Sequence, residues 1–182
     1  MTAVTAKLLS AMGAYRVPAD HLFVYFIFTN ELTQEEMIRA KTKRCFVTVM
    51  SQAELLFTLS AKDKQVLENK LDSVNTETTA QIDVVLMETV GKFNIMHYGR
   101  RLARSWAIGQ KGKNNGVLIL IALNDKKVTI ITGYGLQNVI ADSFTLNIIN
   151  QNFVPHFKTG DYFGGLDEGT DRIIKLIKDQ VK

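Results

Sequence analysis

The sequence predicts an α/β fold, an α/β/α sandwich in which a small mixed β-sheet is flanked by helices on both faces. Three observations predict it. Apolar, β-branched runs of strand length alternate with amphipathic stretches of helical period. Residues 116–123 are continuously apolar, the pattern of a strand buried on both faces. The turn that follows, Asn124-Asp125-Lys126, is so short that the next strand must return antiparallel, which makes the sheet mixed.

The elements follow in order. Residues 22–28 and 45–50 read as short buried strands with a helix over 33–43 between them. Glu35 and Glu36 open that helix and Lys41, Lys43 and Arg44 close it, giving a small strand-helix-strand unit. From Ser60 the pattern sharpens. Ser60 and Asp63 form a capping box, and Val66, Leu67, Lys70, Leu71 and Val74 repeat at helical spacing, so a helix runs over about 61–75. The polar stretch 75–79 ends it, and 82–87 is the first core strand. Asn94 caps a second helix, about 95–107, with Ile95, Tyr98, Leu102 and Trp106 along one stripe and a left-handed stop at Gly109. A helical crossover makes strand 116–123 parallel to strand 82–87, and 128–132 returns beside it. A helix over about 142–152 buries Phe144, Ile148 and Ile149 and ends at Pro155. The last, about 161–181, buries Leu166, Ile173, Ile174, Ile177 and Val181.

The 182 residues make one domain of ordinary size, with or without an extension. The division falls at 53/54: residues 1–53 form an N-terminal extension or small subdomain, and 54–182 the main domain. Charge does not mark the boundary, since the first part has six basic and four acidic side chains and the second sixteen and fourteen. The hydrophobic content, 46%, excludes a disordered chain. The lone Cys45 excludes an internal disulfide and a thiolate zinc cluster. The longest apolar run, 22–28, is far below the ~20 residues that span a bilayer. Pro18 and Asp20 before that run, and Thr29, Asn30 and Glu31 after it, do not fit an export signal.

Catalytic motifs are absent. Gly109-Gln110-Lys111-Gly112-Lys113 has two residues between its glycines where a phosphate loop needs four, and it precedes a strand instead of a helix. Gly133-Tyr134-Gly135 has Asn138 where a dinucleotide fingerprint needs its third glycine, so these are turn glycines. There is no Gly-x-Ser-x-Gly and no His-Glu-x-x-His. His21, His97 and His156 lack ligand spacing and read as surface or packing residues. No catalytic set is assigned.

Two groups of residues could bind ligands. Loop carboxylates and amides suit a hard cation such as calcium: Asp125, Asp142, Asn115 and Glu54 are the candidate metal ligands. The topology expects Glu54, Glu88 and Asp125 at one edge of the sheet, and Asn114, Asn115, residues 133–135 and Asp142 at the other. Asp125 as a turn former and Asp142 as a helix N-cap are the competing structural readings. The second group is basic. From Val90 to Asn124 there is no acidic residue, while Arg100, Arg101, Arg104, Lys111 and Lys113 could hold an anionic polymer or lipid. The aromatics of that helix point to the core, which argues for a solvated face and against nucleic acid.

Residues from about 54 to 178 resemble the TPM domain, the family shared by thylakoid-lumen repair proteins, bacterial exported or membrane-anchored proteins and a nematode receptor-associated protein. The resemblance is carried by Leu59-Ser60, by Thr-Thr-Ala-Gln-Ile-Asp-Val-Val at 78–85, and by Trp106-Ala107-Ile108-Gly109. Gly112-Lys113-Asn114-Asn115-Gly116, Asp125-Lys126-Lys127, Thr132-Gly133-Tyr134-Gly135-Leu136, Asp142, and Pro155 through Tyr162 continue it in order. Glu54 stands where members usually have Asp, and Gln137 where Glu commonly follows the glycine turn. The resemblance implies an α/β sandwich, binding of calcium or another divalent metal, and an exported compartment, although the residues before Ser51 do not read as an export signal. It also implies a protein partner or membrane-protein complex. Its alternative is a divalent-metal-dependent acid phosphatase acting on a small phosphorylated substrate, with Asp125 or Asp142 and Asn115 at the metal.

Overall fold

The computed structural model describes residues 47–50 and 59–181. Strand β1 is Val47–Met50, followed by helix α1 (Ala61–Thr78), β2 (Gln81–Met87), α2 (Ile95–Ser105), β3 (Gly116–Ala122) and β4 (Lys127–Thr132). A 3₁₀ turn (Tyr134–Leu136) leads to α3 (Asp142–Ile148), a π turn (Ile149–Phe153), α4 (Val154–Lys158) and α5 (Tyr162–Val181). The expected strand at 22–28 and helix at 33–43 lie outside the described residues.

The four strands lie in sequence order, β1-β2-β3-β4. β1 and β2 are parallel, β2 and β3 are parallel, and β3 and β4 form the antiparallel hairpin. The sheet is therefore mixed, as the short 124–126 turn requires. Because β1 pairs with β2, the sheet crosses the 53/54 division.

Strand alternation sends the two faces into two cores. Ile82, Val84 and Leu86 of β2 and Val117, Ile119 and Ile121 of β3 join Leu67, Leu71 and Val74 of α1 and Leu166, Ile173 and Ile177 of α5. Val85 and Met87 with Leu118, Leu120 and Ala122 meet Tyr98 and Leu102 of α2 on the other face. All seven residues of β3 are buried. This is the α/β sandwich with helices on both faces. On the first face Lys70 of α1 bonds Asp167 at 2.5 Å and Asp171 at 2.7 Å, both on α5, and Lys178 of α5 reaches Glu77 of α1 at 2.6 Å. Lys70 thus serves as an interhelix tie, while Val66, expected on the buried stripe, is exposed.

The helix ends show where local chemistry acts. Ser60 accepts from the Asp63 N–H and the Asp63 carboxylate accepts from the Ser60 N–H, so the expected capping box forms. Asn94 accepts from Met96 N–H and His97 N–H at the start of α2. Helix α2 stops earlier than expected, because the left-handed residue is Ala107 (φ 53) in addition to Gly109 (φ 103). Ala107 N–H bonds Arg104 C=O and Ile108 N–H bonds Ala103 C=O, a Schellman arrangement.

The greatest departure from expectation is at 142–158. Phe144 is exposed, and the buried face is Thr145, Ile148, Asn152 and Phe153. Ile148 and Phe153 are five apart, about 140° around an α-helix; the wider π turn between them brings both to the core. Nor does Pro155 end the helix. The π turn places it in the first turn of α4, where a missing N–H is tolerated.

Candidate functional site

At the C-terminal ends of β2 and β3, backbone bonds draw two loops together. Leu123 N–H bonds Met87 C=O at 2.9 Å, and Asn124 N–H bonds Glu88 C=O at 2.8 Å. These bonds bring Asp125 against the loop after β2, where its carboxylate accepts from the Thr89 hydroxyl at 2.7 Å and the Val90 N–H at 2.8 Å. The two bonds, Thr89 first, hold the Asp125 carboxyl below its ordinary range, aided by Lys127. One hydrogen bond reaches each oxygen, so each keeps acceptor capacity for a cation. Glu88, half-buried, belongs to the same edge.

The opposite edge is organised by Asn115. Its side-chain carbonyl accepts from Gln110 N–H at 2.9 Å, and its amide donates to Thr79 C=O at 2.9 Å and to Thr79 Oγ1 at 3.2 Å. Thr79 is left-handed (φ 65), a costly backbone for a β-branched residue, and this clamp holds it. Gly133 and Gly135 press on the same loop: a Cβ at Gly133 would lie 2.1 Å from Asn114 O, and at Gly135 1.9 Å from Lys113 O. Asn115 is therefore committed to locking loops.

Across a seven-residue strand, about 23 Å at 3.3 Å per residue, Asp125 and Asn115 do not share a site. Asp142 is exposed, and it is the first residue of α3, not its cap; Ala141 occupies the cap position without a side-chain bond. Glu54 lies outside the described residues. Among the described residues no three His, Cys, Asp or Glu side chains converge as metal ligands. The four candidate ligands do not fit one calcium site; of them, Asp125 alone has a neighbouring carboxylate residue at its own sheet edge, Glu88, among the described residues. Of the basic group, Arg100, Arg101 and Arg104 lie exposed on α2, and Lys111 and Lys113 follow on the loop, where Lys113 Nζ donates to Thr79 Oγ1 at 3.2 Å.

One constellation escaped the sequence reading. His156, near the end of α4, has Nδ1 2.8 Å from Asp161 and Nε2 2.9 Å from Glu168. The Asp161 carboxylate also accepts from Gly164 N–H at 2.8 Å, capping α5. Asp161, then Glu168, raise the His156 pKa; the Gly164 N–H, then His156, lower that of Asp161. The signal was present: Asp161 and Glu168, seven apart, share one helix face. What the spacing could not give was the angle at which α4 meets α5.

The fold and its edges define a small α/β sandwich whose polar side chains are spent mainly on loops and helix junctions. The TPM domain model matches residues 52–176, and the chain belongs to the TPM-domain family. Solved structures agree on the fold. The N-terminal domain of a protein from P. gingivalis is 24% identical with a TM-score of 0.67, over 82% of this chain and 93% of that one. The BA42 protein of the psychrophilic bacterium Bizionia argentinensis is 22% identical with a TM-score of 0.59, over 66% and 82%. The N-terminal domain of the cg2496 protein from Corynebacterium glutamicum is 14% identical with a TM-score of 0.56, over 73% and 80%. No curated protein matches the sequence.

Proposed function

We propose that this TPM-domain protein is an interaction and assembly module, that it joins a membrane-protein complex, and that calcium acts at the Glu88–Asp125 edge. The observation that carries the module reading is the dispersal of its reactive side chains. Asp125 and Asn115 stand at opposite ends of the sheet, Asn115 is occupied by backbone, and both nitrogens of His156 are taken by carboxylates. A phosphatase needs a nucleophile or activated water, an acid and charge stabilisation around one phosphoryl group. No observation among the described residues favours that second reading. Calcium at the Asp125 edge is supported by an ionised carboxylate with spare acceptor capacity and by oxygen ligands of the class the ion prefers. Tyr134, Phe144 and Leu146 remain exposed and supply apolar surface for a protein partner.

The test is thermal unfolding with and without millimolar calcium, for the wild type, Asp125→Asn and Asp142→Asn, beside turnover of a simple phosphate monoester. A ligand that binds only the native state raises the melting temperature. The expected shift is lost in Asp125→Asn and kept in Asp142→Asn, with no turnover. Absence of a shift in the wild type sinks the calcium assignment. Turnover abolished by Asp125→Asn would make the protein an enzyme.

A further inference from the structure

Helix α2 carries a face that its own stability does not explain. On a 100° wheel Met96, Arg100, Arg104, His97 and Arg101 occupy one continuous arc of about 140°, and all five are exposed. Tyr98, Gly99 and Leu102 on the other side are buried against the sheet. A solvated helix face ordinarily intersperses acids with bases at i,i+4. Here Arg100 and Arg104 stand four apart with like charge, a destabilising pair. Neither makes an ion pair among the described residues. Arg104, in the last turn, complements the helix dipole, but Arg100 and Arg101 do not lie there, the first turn contains no acid, and the acid-free stretch runs from Val90 to Asn124. The positive field continues off the C-terminal end of α2 into the loop bearing exposed Lys111 and Lys113, and off its N-terminal end to Lys92.

At that N-terminal end the exposed surface becomes apolar: Phe93 is 50% and Met96 43% exposed. Arginines in an arc with an apolar pair at one end match an interface between charged headgroups and acyl chains. Single-stranded nucleic acid would instead call for a groove with aromatic faces among the basic residues. Tyr98, the one Phe, Tyr or Trp within α2, is turned inward and buried. A cylinder bearing guanidinium groups along its outer side fits a planar array of phosphates.

We propose that the outer face of α2 docks the domain on an anionic lipid bilayer, with Arg100 and Arg104 on the headgroup phosphates and Met96 entering the acyl boundary. This docking does not depend on calcium or on the Asp125 edge. It is peripheral and salt-sensitive, since exposed charges are screened over about 10 Å at 0.1 M salt and about 3 Å at 1 M.

The experiment is co-sedimentation of the full chain with vesicles of phosphatidylcholine alone and of phosphatidylcholine mixed with phosphatidylglycerol, in the absence of calcium and across a salt series. Retention on the mixed vesicles at low salt, release at high salt and none on the neutral vesicles is expected. Arg100→Gln and Arg104→Gln each weaken retention about fivefold, and Met96→Ser weakens it without changing the salt slope. Thermal unfolding of each variant establishes that it is folded. Absence of retention on the mixed vesicles overturns the proposal, as does equal retention of wild type and of the variant that combines Arg100→Gln with Arg104→Gln. Retention on heparin at least as strong as on vesicles, with Met96→Ser indifferent, would make the face a polyanion site and overturn the bilayer assignment.

Discussion

Ala107 holds a left-handed backbone (φ 53) at the end of α2, where glycine is the usual residue. A side chain there costs roughly 1 kcal/mol. Ala107→Gly is therefore expected to raise stability by about 0.5–1 kcal/mol, read as a higher urea midpoint at unchanged m-value. A lower midpoint would show that the methyl group contributes more by packing than it costs by strain. Thr79 (φ 65) offers the instructive contrast, because its hydroxyl and carbonyl are both held by Asn115. Thr79→Gly would relieve the backbone but remove the hydroxyl that Asn115 and Lys113 contact, so a smaller gain is expected there. Neither conformation was legible in the sequence. Glycine at 109 advertised a left-handed stop, whereas Ala107 and Thr79 are put there by hydrogen bonds from residues that propensity does not weigh.

The junction of α4 and α5 is an element held by titratable groups. The His156 pKa is raised by Asp161 and Glu168, so the stabilisation it gives is complete below the ordinary histidine value of 6.5 and is lost as pH rises through the raised folded value. The Asp161 pKa is lowered, so its contribution is present above the ordinary 3.8 and is lost as pH falls through the lowered folded value. The junction is consequently strongest between those two ordinary values. The difference in melting temperature between wild type and His156→Gln should be greatest in that window and shrink toward alkaline pH; a difference flat across pH would remove the bridge as a stabilising contact. Helices with strong local grammar were legible, α1 through Ser60 and Asp63, α2 through Asn94. The face of α3 was not: a 3.6-residue period assigns Phe144 to the core, and only the π turn reveals why Phe153 goes there instead. The expected N-cap at Asp142 failed for a related reason, since Ala141 already has the extended backbone of a cap and Asp142 begins the helix.

At the scale of the whole molecule, one sheet serves two cores. β2 and β3 contribute alternate residues to each, so neither core can open without disturbing strands that the other needs. Leu102 and Phe153 are buried on opposite faces. Leu102→Ala and Phe153→Ala should each lower stability by about 2–5 kcal/mol and add within about 0.5 kcal/mol when combined, in one cooperative urea transition. Two separated transitions would mean that the faces unfold independently. The strand order of this core was legible because β-branched runs and a three-residue turn leave few topologies; the pairing of β1 with β2 was not, because it joins segments across the residues before α1. The π turn also links chain length to composition. It accommodates one more residue than an α turn, so deleting exposed Asn150 would leave Phe153 and Phe157 on the core side while closing the widened turn on Pro155. The shortened chain would kink unless Pro155 were replaced as well, so deleting Asn150 is expected to cost less stability in a Pro155→Ala background than in the wild type.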